Sequence, residues 1–163
     1  MMSDNQEIVN RMIEAAGHAT QSLGVGRSLG QIFAFLYFSP EPRTLNDLTS
    51  ELGISKGSAS MGVRQLEQWA ALEKIWVKGD RKDYYQANDD FGKIIKNAML
   101  DMAGKRINDY STLLDEVEQE LETDTSSLDT DSEFISRRIA KMRDFQSRVQ
   151  GIWSGVMLKM LTK

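Results

Sequence analysis

The residues best placed to do chemistry lie on one side of a predicted helix that runs from Ser55 to about Trp69. Its apolar positions, spaced four, three and four residues apart, are Ala59, Val63, Leu66 and Ala70. This spacing predicts a buried helical face. The outward residues are Lys56, Gly57, Ser58, Ser60, Met61 and Arg64. They are small or cationic, which suits an approach to duplex DNA, because carboxylates would repel phosphate and bulky side chains would not fit a major groove about 12 Å wide.

Individual roles follow from side-chain shape. The planar guanidinium of Arg64 can donate to both acceptors of a guanine edge. Lys56, together with the first backbone amides of the helix and Ser55, can hold a phosphate. Short or flexible side chains that can touch base edges or a thymine methyl are Ser58, Ser60 and Met61.

The preceding residues predict the element that positions this helix. Thr44 and Asp47 have the spacing of a capping box, which starts a short helix. The leucines that form one stripe of it are Leu45, Leu48 and Leu52. Gly53 should end that helix in a left-handed turn, and Ser55 should cap the next one. Together they predict a helix-turn-helix.

A two-stranded hairpin should follow, with strands at 73–78 and 83–87 joined by residues 79–82. At its tip, Arg81 is the candidate for a minor groove, supported by Lys82 and by Lys78 on the flanking strand. Asp80 and Asp83 lie beside the arginine. They either orient it by pairing or cancel its charge, and the sequence leaves both readings open.

At this point the residues resemble a family, the GbsR/MarR group of bacterial winged-helix transcriptional regulators. The similarity lies in SPEP at 39–42, LGISKGSASMGVRQLEQW at 52–69 and WVKGDRKDYY at 76–85. The resemblance implies a homodimeric repressor or activator whose second motif helix reads a major groove and whose wing arginine reaches a minor groove. No effector is carried over, because no pocket residue matches a motif.

The net charge of −4 first argues against a nucleic-acid partner. However, ten of the 24 acidic residues lie between 107 and 136, a stretch without Lys or Arg. Outside that stretch the chain has 14 acidic and 20 basic residues, which gives a net charge of +6. Charge is therefore segregated, with the motif in the basic part.

Helical segments flank the motif on both sides. They are predicted at 5–23, at Gln31–Phe38, from Asp89 to about Glu122 after an Asn88 cap, and from a Thr130–Glu133 capping box to Leu161. A polar hinge loop is expected at 122–131. The last helix carries a heptad seam formed by Met142, Phe145, Val149, Ile152 and Val156. A second copy is the simplest cover for this seam, which predicts a homodimer.

Three parts are therefore expected: an N-terminal helix at 1–27, a winged helix-turn-helix at 28–88 and a helical dimerisation region at 89–163. Aromatic residues outside the wing are expected to pack in the core rather than to form a cage for a quaternary ammonium ligand. These residues are Tyr37, Tyr110, Phe134, Phe145 and Trp153.

Catalytic and metal motifs are weak. The 163 residues include no cysteine, which excludes thiolate catalysis, cysteine-based zinc sites and disulfides. His18 is the only histidine, so a structural or solvated role is expected. Residues 24–30 are expected to form a flexible turn rather than a dinucleotide loop, residues 53–58 lack the ending of a phosphate loop, and residues 151–155 misplace the serine of a nucleophile elbow. The acidic run at 115–131 lacks calcium-loop spacing.

The sequence thus predicts a mainly α, winged helix-turn-helix protein, not an enzyme, with no cofactor and no metal. Its expected partners are double-stranded DNA, a second copy and an unidentified small-molecule effector, the last left open. Without a signal segment or a long apolar run, the expected location is the cytoplasm, away from membranes. The alternative is a winged-helix module that contacts protein through the same face.

Overall fold

A computed structural model describes residues 4–123 and 130–162. The chain separates into two compact units, Met1–Ala98 and Met99–Lys163. In chain order the elements are α1 (Asp4–Ser22), α2 (Arg27–Tyr37), β1 (Arg43–Thr44), α3 (Leu45–Leu52), α4 (Lys56–Gln68), β2 (Leu72–Ile75), β3 (Tyr84–Ala87), α5 (Phe91–Thr123) and α6 (Thr130–Leu161). The predicted class, mainly α with a winged helix-turn-helix, is confirmed.

The helix-turn-helix forms as its capping residues predicted. The Asp47 amide donates to Thr44 Oγ1 at 3.3 Å, and the Thr44 amide donates to Asp47 Oδ2 at 2.7 Å. Gly53 takes the left-handed conformation, with φ 63°. Ser55 then accepts a bond from the Ser58 amide at 3.1 Å and caps α4. Local side-chain chemistry therefore sets both helix starts and the turn between them.

The inner face of α4 packs on α2. Ala59, Val63 and Leu66 are buried, as predicted. Gly62 was not predicted on this face, yet a Cβ there would lie 2.5 Å from Cδ1 of the fully buried Ile32. Glycine thus lets the two helices approach closely.

Ala70 does not belong to the α4 face, contrary to prediction. It follows the end of the helix with φ 58°, a left-handed conformation that is uncommon for alanine. Its amide donates to the Glu67 carbonyl at 2.9 Å, and the Ala71 amide donates to the Leu66 carbonyl at 2.8 Å. The chain has to reverse here to enter β2, so the helical spacing cannot continue.

The sheet has three antiparallel strands in the order β1-β3-β2. The prediction missed β1, because two residues are too short to produce a periodic signal. It also made the first wing strand too long, since β2 ends at Ile75. The Asp80 amide donates to the Val77 carbonyl at 3.2 Å, and Gly79 has φ 86°, so a turn replaces the last strand residues.

The glycine-rich stretch at 24–30 is not one flexible turn. Gly26 precedes α2, which begins at Arg27, four residues earlier than predicted. Gly30 is buried against α1, where a Cβ would lie 2.1 Å from the Ala16 carbonyl oxygen, and its amide donates to Thr20 Oγ1 at 3.2 Å. Close packing of α1 on α2 therefore explains this glycine.

The start of α5 also differs from prediction. Asp90, not Asn88, caps the helix, since Asp90 Oδ1 accepts from the Lys93 amide at 3.0 Å. Asn88 instead donates from Nδ2 to the Ala70 carbonyl at 2.9 Å. It is used to hold the end of β3 against the turn after α4.

The second unit contains the rest of α5 together with α6. Leu114 and Gln146 are buried in it, and Arg143 forms ion pairs with Asp115 and Glu118. The predicted hinge loop at 122–131 is shorter than expected, because residues 122–123 still belong to α5 and residues 130–131 already belong to α6. Residues 124–129 lie outside the described residues, as does the side chain of Thr130 with its predicted cap. No described helix combines the length and the apolarity needed to cross a membrane.

The aromatic residues expected in the core are largely outside it. Tyr37 contacts Phe33, Phe38 and Phe91 but stays 40% exposed. At least half of the side chain is exposed at Tyr110, Phe134 and Phe145. Helical spacing indicates which residues share a face, but it does not show what covers that face.

Candidate nucleic-acid interface

The outer face of α4 is open, as predicted. Lys56, Gly57 and Arg64 are exposed, and Met61 is 73% exposed. Ser60 is partly exposed between them. The residues on the opposite side of α4 are buried in the core and hold the helix in place, so the outward side chains project from a rigid element.

The serines of the first turn have a positioning role. Ser55 Oγ accepts the Ser58 amide and donates to Ser58 Oγ at 3.0 Å. These bonds hold the first turn of α4 in place. Lys56 and Gly57 lie between the two serines, so the backbone amides of the helix start are presented next to a cation.

The sheet continues the surface beside α4. β2 packs against α4, and Tyr85 on the neighbouring strand β3 is buried. Burial raises the pKa of the Tyr85 hydroxyl, and among the neighbouring charges Lys74 and Arg64 act in the opposite direction. The first strand of the hairpin therefore lies beside α4.

The wing tip carries Lys78, Arg81 and Lys82, all exposed. Its backbone is braced by Asp80, whose carboxylate accepts from the Lys82 amide at 3.0 Å and from the Tyr84 hydroxyl at 2.8 Å. The Lys82 amide and then the Tyr84 hydroxyl lower the pKa of Asp80, and the same contact raises the pKa of Tyr84.

Both wing acids bond to groups other than the Arg81 side chain, so the reading in which they orient that arginine by pairing is wrong. Asp83 pairs with Lys74 at 3.0 Å, which raises the pKa of that lysine. Asp80 is held by the wing itself. Neither carboxylate pairs with Arg81 among the described residues. The acids shape the hairpin and leave the arginine directed to solvent.

Sequence reasoning assigned no role on this surface to Trp76, which it placed inside a strand. The residue follows β2 and is 78% exposed. A turn signal was present in Gly79 and Asp80, and giving it more weight would have shortened the strand and placed Trp76 in the wing loop.

The predicted dimer seam lies on α6 in the second unit. Met142, Phe145 and Ile152 are more than half exposed, whereas Val149 and Val156 are partly buried. An open apolar groove of about 600 Å³ runs between α5 and α6. It is lined by Arg106, Ile107, Tyr110, Leu114, Arg138, Lys141, Met142, Phe145, Gln146 and Val149.

The possible metal ligands of the described residues lack the arrangement that a metal ion needs. His18 is exposed on α1. Within residues 4–123 and 130–162, no group of three or more His, Asp or Glu side chains is arranged to hold a metal ion.

Comparison with known proteins gives relatives for part of the chain. No family model matches the chain. It is 30% identical over 80 residues to the HTH-type transcriptional repressor OpcR of Bacillus subtilis, covering 49% of this chain and 43% of OpcR. It is 27% identical over 111 residues to the HTH-type transcriptional repressor GbsR of the same organism, covering 68% of this chain and 61% of GbsR. The matched part is thus about half the length of these relatives.

A solved crystal structure of a transcriptional regulator superposes with a TM-score of 0.59 and 23% identity, covering 95% of this chain and 99% of the other. At this identity it supports the fold alone. The resemblance to the GbsR group is confirmed by the relatives, which are named transcriptional regulators.

Proposed function

We propose that this chain is a sequence-specific DNA-binding regulator of transcription, most simply a repressor, that acts as a homodimer on a two-fold operator in the cytoplasm. The observation that carries the proposal is the surface formed by α4 and the wing. It presents Lys56, Arg64, Lys78, Arg81 and Lys82 on an acidic chain, and the wing-loop acids Asp80 and Asp83 are engaged in a turn and an ion pair.

The roles on this surface follow from geometry. Arg64 projects from the middle of α4 and would read a guanine edge. Met61 and Ser60 lie beside it, close enough in sequence to contact neighbouring bases. Lys56, Gly57 and the capped first turn would bind phosphate, while Ser55 and Ser58 hold that turn in place.

The wing would supply the second contact. Arg81 is exposed at the hairpin tip, and the bonds that Asp80 makes with Lys82 and Tyr84 hold the tip in shape. A pre-formed tip reduces the ordering entropy lost on binding. Lys78 and Lys82 would bind the phosphates that flank the minor groove.

The dimer is proposed from the second unit. Met142, Phe145 and Ile152 form an apolar stripe that the single chain leaves open, continued by Val149 and Val156. Exposed apolar stripes of this length on a long helix generally mark an interface. A second copy would cover the stripe and set two α4 helices about 34–36 Å apart, one DNA turn.

Bound across a promoter, such a dimer would block access of polymerase. A signal that changed the separation of the two α4 helices would release it, which is the form that an effector response would take. The repressor assignment also has support from OpcR and GbsR, which are named repressors.

A selection experiment tests the proposal. The purified chain is mixed with a random duplex library, and enriched duplexes are titrated by gel shift at about 50 and 200 mM salt. Several phosphate contacts should weaken binding by roughly 10³-fold or more between the two salts. Failure to enrich or shift any duplex at low salt would reject DNA binding and favour a protein-interaction module.

A further inference from the structure

Trp76 has the highest exposed fraction, 78%, among the large hydrophobic side chains that the structure describes. Tryptophan is usually well buried, because its ring carries a large apolar area and one polar N–H. An indole left in water on an ordered hairpin gives the wing an apolar surface that a partner can cover.

The ring stands where the paired strand ends. Ile75, the last residue of β2, pairs with Tyr84, and Trp76 follows it as the first residue of the wing loop. The adjoining hairpin is braced by the ion pair between Lys74 and Asp83. Trp76 is therefore held at the base of the wing loop, on an ordered hairpin.

The charges around Trp76 indicate the chemistry of the partner. The exposed cations of the wing loop are Lys78, Arg81 and Lys82, and the two acids of that loop, Asp80 and Asp83, bond to Lys74, to Tyr84 and to the wing backbone. An apolar ring in a loop with several cations is complementary to duplex DNA, because apolar sugar edges alternate with phosphates along the DNA backbone.

We propose that Trp76 packs its indole ring against deoxyribose along the edge of the minor groove, beside the wing contact. This inference rests on the proposed function, since it names a further residue of the same interface. The contact adds affinity for duplex DNA in general and carries little sequence information, because the sugar is the same at every base pair. Arg64 would supply the sequence preference.

The test compares Trp76→Ala, Trp76→Phe and Lys78→Ala with the unaltered chain, on a duplex enriched by the unaltered chain and on an unrelated duplex. We expect Trp76→Ala to weaken both complexes by about 5- to 30-fold, the range of one or two kcal/mol. Trp76→Phe should recover most of the affinity. The dependence of affinity on salt should stay unchanged for Trp76→Ala and become shallower for Lys78→Ala, which removes a phosphate contact.

Fluorescence gives an independent readout. The signal lost in Trp76→Phe reports Trp76, and in the unaltered chain this signal should become shielded from acrylamide when the duplex is added. Unfolding temperature and oligomeric state are measured for every variant, because the ring is exposed and its removal should change neither.

Three other results of these experiments would overturn the inference. Equal affinity of Trp76→Ala and the unaltered chain on an enriched duplex would overturn this inference and leave the proposed function intact. A Trp76→Ala variant that loses dimerisation or thermal stability would also overturn it, since the ring would then pack on protein. If the unaltered chain enriches no duplex, the proposed function fails and this inference fails with it.

Discussion

The two units of the chain differ in how much of their apolar surface they bury. Unit 1 contains a dense core in which Ile32, Leu48 and Ala59 are fully buried. In unit 2, among the residues that the structure describes, Leu114 is the only buried hydrophobic side chain. Yet α5 and α6 are 33 and 32 residues long.

The difference indicates where each unit obtains its stability. Hydrophobic burial contributes about 25 cal/mol per Å², so the core of unit 1 stabilises it from within. Long helices need packing along their sides to persist in water. Unit 2 has little of that packing in the single chain, which supports the proposal that a second copy provides it. The winged unit would then be the reader and the helical unit its frame.

The largest expected effect comes from placing a charge in the apolar seam of α6, which tests whether unit 2 forms the dimer interface. Val149→Asp would bury a carboxylate in an apolar interface at a cost of several kcal/mol. We expect a monomer by light scattering and a loss of operator binding, because a single winged unit contacts only one half-site. The matched control is Ser147→Asp, which adds the same charge to an exposed position on α6. A Val149→Asp protein that stayed dimeric would move the interface elsewhere.

A substitution at Gly30 tests the internal packing of unit 1. In Gly30→Ala the new methyl would meet the Ala16 carbonyl oxygen at 2.1 Å, so α1 and α2 must move apart. Overpacking of this kind costs about 1–3 kcal/mol, which urea unfolding at constant protein concentration should detect. Gly57→Ala is the control, since its methyl meets only Ser55 Oγ at 3.9 Å and helix propensity should favour alanine by up to about 1 kcal/mol. Equal stability of the two variants would contradict the packing argument.

Arg64→Ala separates function from stability within unit 1. The side chain is exposed, so its removal should leave the unfolding temperature nearly unchanged. Binding to an enriched duplex should weaken by about 1–3 kcal/mol with relaxed sequence preference, whereas Lys56→Ala should weaken all duplexes about equally. Equal losses on enriched and random DNA for Arg64→Ala would reject its base-reading role.

The smallest expected effect concerns the cap of α3. The Thr44 amide, partly opposed by burial, holds the pKa of Asp47 below its ordinary value of 3.8. Because the folded pKa is lower than the unfolded one, this stabilisation is present above pH 3.8 and is lost as the pH falls through the folded value. Asp47→Asn should remove about 0.5–1 kcal/mol at neutral pH and flatten the acid limb of the stability curve. Urea unfolding at pH 7 and pH 3 measures both, with Glu41→Gln as an exposed control outside the cap.

Much of unit 1 could be predicted because its signals are local. Thr44, Asp47 and Ser55 act on backbone groups three residues away, and Gly53 acts on its own dihedral angles. The buried spacing of Ala59, Val63 and Leu66 is likewise contained in one helix. Such features depend on neighbours in the chain, so the sequence displays them directly.

The misses were decided by distant partners. Asn88 had the character of a cap, but the Ala70 carbonyl is a better use of its amide once the sheet has formed. β1 exists only because β3 offers an edge to pair with. The exposed aromatic residues of the second unit show the same limit, because helical periodicity identifies an apolar face but does not show what packs against it.

By itself, the sequence determined where α3 begins and ends, where α4 begins, and which α4 residues face outward, because caps and periodicity act within a few residues. Only the tertiary structure decided that Gly62 and Gly30 are packing glycines, that the wing acids are engaged away from Arg81, and that Trp76 stands in solvent. Those outcomes depend on contacts between residues that are far apart in the sequence, and such contacts leave no pattern in the local sequence.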